Sequence, residues 1–270
     1  CARFPLACAS GCVPGVRPEF AGKVKEWSVP APSFAREPAV APDGSIYISI
    51  MQSSRIARFD PRSEAFSLWN LPEGTRPQGL LMGKNGHLYF TGSGSGTIGE
   101  LDTVSGKLML HKVPSGGDPH TIVMDGSGVM WFTVQSPGRV VRFDPGSRAF
   151  REHDVGGRPH GIAIDRAGYI WFCKFGGDRL GRMNPADGNV NEVFTGEGSQ
   201  PRRMAVSVDG SLWATLYGTN RLIQVDPQKM KIMREYPLPN GSDGGAYAVT
   251  VDGSGILWSN EITTDAVVRL

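Results

Sequence analysis

Two histidines in this chain each follow a proline and lead into an apolar run: Asp118-Pro119-His120-Thr121-Ile122 and Arg158-Pro159-His160-Gly161-Ile162. Imidazole titrates near neutrality, so such a pair suits general-base or metal-ligand duty. The remaining histidines, His87, His111 and His153, fall in turns or outer strands of the pattern described below. Four further stretches repeat the slot, placing Arg36, Gln78, Arg202 and Tyr247 where the histidines stand. All six are polar or amphipathic and sit immediately before apolar strand residues, which packing alone does not require. His120 and His160 are therefore candidate catalytic groups, with Arg36, Gln78, Arg202 and Tyr247 as candidate substrate contacts. A second slot, the third residue after a recurring aromatic, adds Lys174 as a substrate contact and Glu261 as a carboxylate. Asp118, two residues before His120, supplies another. A hard divalent cation such as Mg²⁺, or alternatively Ca²⁺, takes oxygen ligands, and Asp118 and Glu261 are the expected donors. The competing expectation is that Lys174 and Glu261 are solvated and that Asp118 hydrogen-bonds its own turn.

The elements that must position these residues follow from a repeat. An apolar triplet and a glycine lead into an aromatic at Tyr47, Tyr89, Trp131, Trp171, Trp213 and Trp258, spaced by subtraction at 42, 42, 40, 42 and 45 residues. Within the fourth repeat, Pro159–Asp165 alternates as a half-buried strand, and Tyr169–Cys173 is a second strand rich in aromatic and β-branched types. Arg179–Met183 and Asn189–Phe194 supply two more, with Pro-Gly turns between them. Four antiparallel strands every ~40 residues make one propeller blade. The chain is thus expected to be all-β, a single propeller domain of six four-stranded antiparallel blades over residues 22–270. The sixth repeat stops after a third strand ending at Leu270, while residues 23–29 read as an orphan fourth strand. The expectation is that this N-terminal strand completes the last blade and closes the ring.

The 36 glycines and 20 prolines suit a turn-rich β chain. A net charge of +2, with no Lys/Arg tract interleaved with aromatics, argues against a nucleic-acid partner. No stretch reaches the ~18 apolar residues of a membrane span. Residues 1–21 read as a leader or export-signal remnant, in which Ala9-Ser10-Gly11-Cys12 resembles a weak lipoprotein box with Cys12 as the lipid-anchor site. Cys1 and Cys8 complete an N-terminal group that could form a disulfide, leaving Cys173 free. An exported monomer is the expectation. Gly92-Ser93-Gly94-Ser95-Gly96 joins two strands and so is no dinucleotide cradle, and neither a zinc spacing nor a Gly-x-Ser-x-Gly elbow occurs.

Pro-His-Gly-Ile, Gly-x-Ile-Trp-Phe and Arg-Leu-Gly-Arg together resemble the repeat of the streptogramin B (virginiamycin B) lyases and, more distantly, NHL-type propellers. The resemblance covers residues 22–270. It implies a channel-mouth enzyme that opens a cyclic ester, a depsipeptide or lactone, by elimination without adding water. A histidine base, His120 or His160, would remove an α-proton while Mg²⁺ polarises the adjacent carbonyl. The two histidine motifs stand in reversed order relative to that family. Its expected tyrosine slot holds Arg202, its Trp-Phe-Thr-Glu survives only as Trp258-Ser259-Asn260-Glu261, and its well-known members have seven blades. Two alternatives stand beside the lyase. One is a lactone hydrolase of the gluconolactonase type, hinted at by Asn260-Glu261. The other is a non-enzymatic ligand- or protein-binding propeller, for which Arg36, Arg202 and Lys174 suit an anionic partner.

Overall fold

A computed structural model describes residues 25–30 and 34–270. The leader, Cys1, Cys8, Cys12 and the start of the orphan strand lie outside the described residues. Among the described residues Cys173 is free and buried, and no helix is long and apolar enough to cross a membrane.

The chain is an all-β propeller of six blades. The first is β1 Ala35–Val40, β2 Ile46–Ile50, β3 Arg55–Asp60 and β4 Ala65–Asn70. The second is β5 Pro77–Met82, β6 Leu88–Gly92, β7 Thr97–Leu101 and β8 Leu108–Lys112. The third is β9 Pro119–Met124, β10 Met130–Val134, β11 Arg139–Asp144 and β12 Ala149–Asp154. The fourth is β13 Pro159–Ile164, β14 Ile170–Lys174, β15 Arg179–Met183 and β16 Val190–Phe194. The fifth is β17 Pro201–Val206, β18 Leu212–Leu216, β19 Arg221–Asp226 and β20 Lys231–Pro237. The sixth holds β21 Ala246–Val251, β22 Leu257–Glu261 and β23 Ala266–Arg269. Every sheet is an antiparallel meander, and the core lies between blades, where second-strand residues such as Tyr89, Phe132, Trp171 and Leu212 are buried.

Neighbouring blades meet at their innermost strands, and glycine permits the closest approach. A side chain at Gly161 would put its Cβ 2.5 Å from the Arg202 carbonyl oxygen, so β13 and β17 touch backbone to backbone there. The third strand uses glycine differently: a Cβ at Gly99 would lie 2.0 Å from the Phe90 ring, which occupies that space.

Among the described residues the expected closure is not made. The sixth sheet has three strands among the described residues, and residues 25–30 form no strand with β23. Instead Trp27 lies 4.9 Å from Phe59, Val29 packs against Ile50 and Ala57, and Lys25 pairs with Glu64. His111 of β8 stands over Phe143 in the next blade in the same way, at 5.1 Å. The segment therefore occupies the place of a fourth strand preceding the first blade. Apolar contacts of Trp27 and Val29 with that blade tie it there, and among the described residues it makes no backbone pairing with the last. Each innermost strand also packs on the next from β1 through β21, whereas β21 and β1 lack that packing among the described residues.

Candidate active site

A register slip fixes where the six slot residues point. Each innermost strand carries a bulge directly after its opening residue, between Pro119 and Ile122 in β9 and between Pro159 and Ile162 in β13. The same slip occurs in the other four. A bulge leaves an N–H unpaired and re-aims the neighbouring side chain. Here a hydroxyl two residues after the aromatic takes that N–H: Thr91 Oγ1 accepts from Gly79 at 2.8 Å, Thr133 from Thr121 at 3.2 Å and Thr215 from Arg203 at 3.0 Å. Each hydroxyl then donates across to the next blade. Thr91 bonds the His120 carbonyl at 2.6 Å, Thr133 that of His160 at 2.7 Å and Thr215 that of Tyr247 at 3.1 Å. Ser49 does the same for Gln78 at 2.8 Å. This belt of hydroxyls sets the backbone of the mouth.

The fourth blade breaks the belt, because Cys173 stands where the threonine would be. The Arg202 carbonyl is left to accept a hydrogen bond from His160 Nδ1 at 3.1 Å. With Nδ1 protonated, the Nε2 lone pair of His160 is free. His120 is held by a hydroxyl. Thr121 Oγ1 accepts from Arg203 Nη1 and lies 2.9 Å from His120 Nδ1, and with a proton and a second lone pair left it serves either tautomer of that ring. The two rings lie 4.0 Å apart, tilted by 52°. Both are 7% exposed or less. Burial pushes both imidazoles well below the usual histidine range. For His120 the charges of Arg203, Arg36, Arg202 and Arg158 add to the effect, and for His160 those of His120, Arg203 and Arg202. At neutral pH both are uncharged.

The other slot residues gather around them. Arg36 Nε donates to Gln78 Oε1 at 3.3 Å, and the Arg202 guanidinium lies 4.2 Å over the Tyr247 ring. Burial alone would raise the Tyr247 phenol, yet Arg203, Arg36 and Arg202 bring it below the ordinary tyrosine range. Lys174 does not join them, since its ammonium pairs with Glu192 on β16. Asp118 and Glu261 are not brought together. Asp118 accepts from the Ser136 N–H at 2.6 Å, as a turn carboxylate does. Glu261, 1% exposed, is taken up by Asn220 and by the Asn240 N–H and Nδ2 at 3.1 and 2.7 Å. Asn260 Oδ1 accepts from the Ala248 N–H at 3.0 Å, standing in for a belt hydroxyl. Among the described residues no group of three or more His, Cys, Asp or Glu side chains is placed to hold a metal ion. Asp118 and Glu261, each engaged by protein donors, do not form the shared divalent-cation site expected of them.

Several residues of the mouth escape the slot reading. Arg203, 8% exposed, crosses the channel from β17 to pair with Glu37 on β1. Moving one place further along each repeat gives Glu37, Gly79, Thr121, Gly161, Arg203 and Ala248, one cation and one anion, which is the signal for that pair. Phe175 is the other omission. Its ring meets His160 at 5.6 Å, Tyr217 at 6.2 Å, and the guanidiniums of Arg202 and Arg158 at 5.1 and 5.9 Å.

The profile of the virginiamycin B lyase family matches residues 16–172, more than half of the chain. The chain belongs to that family. No curated protein sequence matches it. Among solved structures it is similar to a streptogramin B lyase, at 22% identity and a TM-score of 0.83, over 92% of this chain and 83% of the other. A catalytically inactive variant of the Staphylococcus aureus virginiamycin B lyase with quinupristin gives 22% identity and 0.84, over 93% and 85%. A gluconolactonase from Xanthomonas campestris gives 17% and 0.63, over 85% and 83%. These likenesses establish a shared fold. What the virginiamycin B lyase family member described here does must come from its own mouth residues.

Proposed function

We propose that this protein opens a cyclic ester by elimination at the channel mouth, with His160 as general base and His120 as hydrogen-bond donor. The observation that carries the reading is the pair of buried imidazoles at 4.0 Å. His160 Nδ1 donates to the Arg202 carbonyl and so leaves an Nε2 lone pair. In the proposed reaction Thr121 donates to His120 Nδ1 and leaves that ring an Nε2–H. The His160 Nε2 takes the proton α to an acyl carbonyl, and the C–H electron pair becomes the new C=C bond. The β C–O bond breaks, its electron pair leaves on oxygen, and the departing group is a carboxylate. No water enters, so substrate and product have one mass. The His120 Nε2–H bonds the acyl oxygen on which charge develops, and the surrounding guanidiniums stabilise both that charge and the leaving carboxylate. Depressed histidine pKa values keep the base neutral, the state it needs.

The test incubates the full chain with quinupristin and a panel of small lactones, with Mg²⁺ or with EDTA, and weighs the products. The expected product has the mass of its substrate, forms equally with EDTA, and fails to form with His160→Asn. A product one water heavier would replace elimination by lactone hydrolysis. Equal turnover by the variant would remove His160 from the chemistry.

A further inference from the structure

The arginines at the mouth outnumber what the elimination requires. One guanidinium answers the leaving carboxylate, and Arg203 is already paired with Glu37. Arg36, Arg158 and Arg202 have no carboxylate partner among the described residues. Arg36 bonds Gln78 at 3.3 Å and Arg158 bonds Gln135 Oε1 at 3.0 Å, both neutral acceptors. Arg202 is walled by aromatic rings, with its guanidinium 5.1 Å from Phe175, 4.8 Å from Tyr217 and 4.2 Å from Tyr247. Among the described residues its buried Nε has no hydrogen-bond partner, and neither has Nε2 of Gln78, a side chain 1% exposed. Buried donors in a native protein are normally satisfied, and an orphan at a site points to a missing acceptor. Uncompensated guanidiniums set among neutral histidines and aromatic faces are costly to hold together, and an anion removes that cost.

We infer that the ligand of this mouth is itself an anion at rest: a small molecule carrying a carboxylate on a flat, apolar body. The carboxylate meets Arg202 and Arg36, and the body lies against the rings of Phe175 and Tyr217. The assignment rests on the mouth being the ligand site, as the proposed elimination has it, and names the class of ester that would be opened. Carboxylate and phosphate share oxyanion chemistry. The guanidinium fork takes either, and the aromatic walls favour the acid carried on a flat ring.

The test is calorimetric binding to the full chain at low salt, with phthalate, its neutral dimethyl ester and inorganic phosphate as probes. Phthalate is expected to bind, the dimethyl ester not to bind, and Arg202→Gln to weaken phthalate at least about 10-fold. Should Arg202→Gln fail to fold, Arg36→Gln at the rim is expected to weaken it several-fold. Added NaCl should weaken it too. Dimethyl phthalate binding as tightly as phthalate, or phthalate binding unchanged in the folded variants, overturns the inference. Phosphate binding more tightly than phthalate overturns the carboxylate assignment. His160→Asn separates the two readings, since it should stop turnover and keep phthalate binding. Phthalate binding without turnover of any ester removes the elimination and leaves the anion site. Turnover of neutral esters without phthalate binding does the reverse.

Discussion

The join between the third and fourth blades and the join between the fourth and fifth differ in the side chain that reaches across, a hydroxyl in one and a thiol in the other. In the first, Thr133 takes the Thr121 N–H and gives its proton to the His160 carbonyl. In the second, Cys173 occupies the equivalent place, and the Arg202 carbonyl accepts from the His160 ring instead. A hydroxyl closes a backbone contact between blades, while a thiol, a weak donor, leaves a carbonyl open for a side chain. The first join is architecture. The second orients a base, and the difference shows how a repeat makes one blade unlike its neighbours at no cost to the fold.

The largest expected effect on this contrast comes from the side chain being oriented. His160→Asn should lower turnover by at least ~10²-fold, with a melting temperature near that of the parent; steady-state rates and a thermal melt decide it. Next comes Thr133→Val, which keeps the shape and removes two hydrogen bonds, one to the part-buried Thr121 N–H and one to the buried His160 carbonyl. A loss of about 2 kcal/mol in urea unfolding is expected. A loss under ~0.5 kcal/mol would mean that the hydroxyl belt is not what joins the blades. Acid should act through the pair of histidines. Their folded pKa values are depressed, so the unfolded chain binds protons the folded one refuses, and stability present above the unfolded value near pH 6.5 is lost as pH falls. Two such groups give a slope of up to about 2.7 kcal/mol per pH unit below ~6.5. Urea midpoints of the parent and a His120→Asn/His160→Asn double variant, compared between pH 7 and 5, should show a flatter profile in the variant. The smallest and most pointed change is Cys173→Thr, which restores the belt. It should leave stability unchanged or slightly raised, lower kcat by about 10-fold, and shift the His160 ¹⁵N signals as Nδ1 loses its acceptor to the new hydroxyl. Unchanged ¹⁵N signals would break the link between Cys173 and the base.

The six blades were legible in the residue order because alternation, turn residues and the aromatic spacing are local properties that each repeat states anew. The slot residues of the mouth were legible for the same reason. A constant offset from an opening proline becomes a ring once the blades are arranged around an axis, and the structure does bring Arg36, Gln78, His120, His160, Arg202 and Tyr247 together. Three expectations failed where long-range packing competes with a local pattern. The Trp27 segment looks like the fourth strand of a blade, but the apolar face of the first blade holds it. Lys174 sits in a mouth-facing slot, and Glu192 on its own blade claims the charge. Glu261 has the right chemistry for a metal ligand, and two asparagines satisfy it first.

The amino-acid order by itself determined the blade count and the polar ring, since both depend only on which residue recurs at a fixed offset within ~40 residues. Only the tertiary structure decided that His160 presents a lone pair, that Arg203 neutralises Glu37 across the channel, and that three other arginines are left without carboxylates among the described residues. Those outcomes depend on side chains from different blades meeting at a few ångströms, and hydrogen bonds and ion pairs at that range are set by the fold's closest approaches, not by distance along the chain.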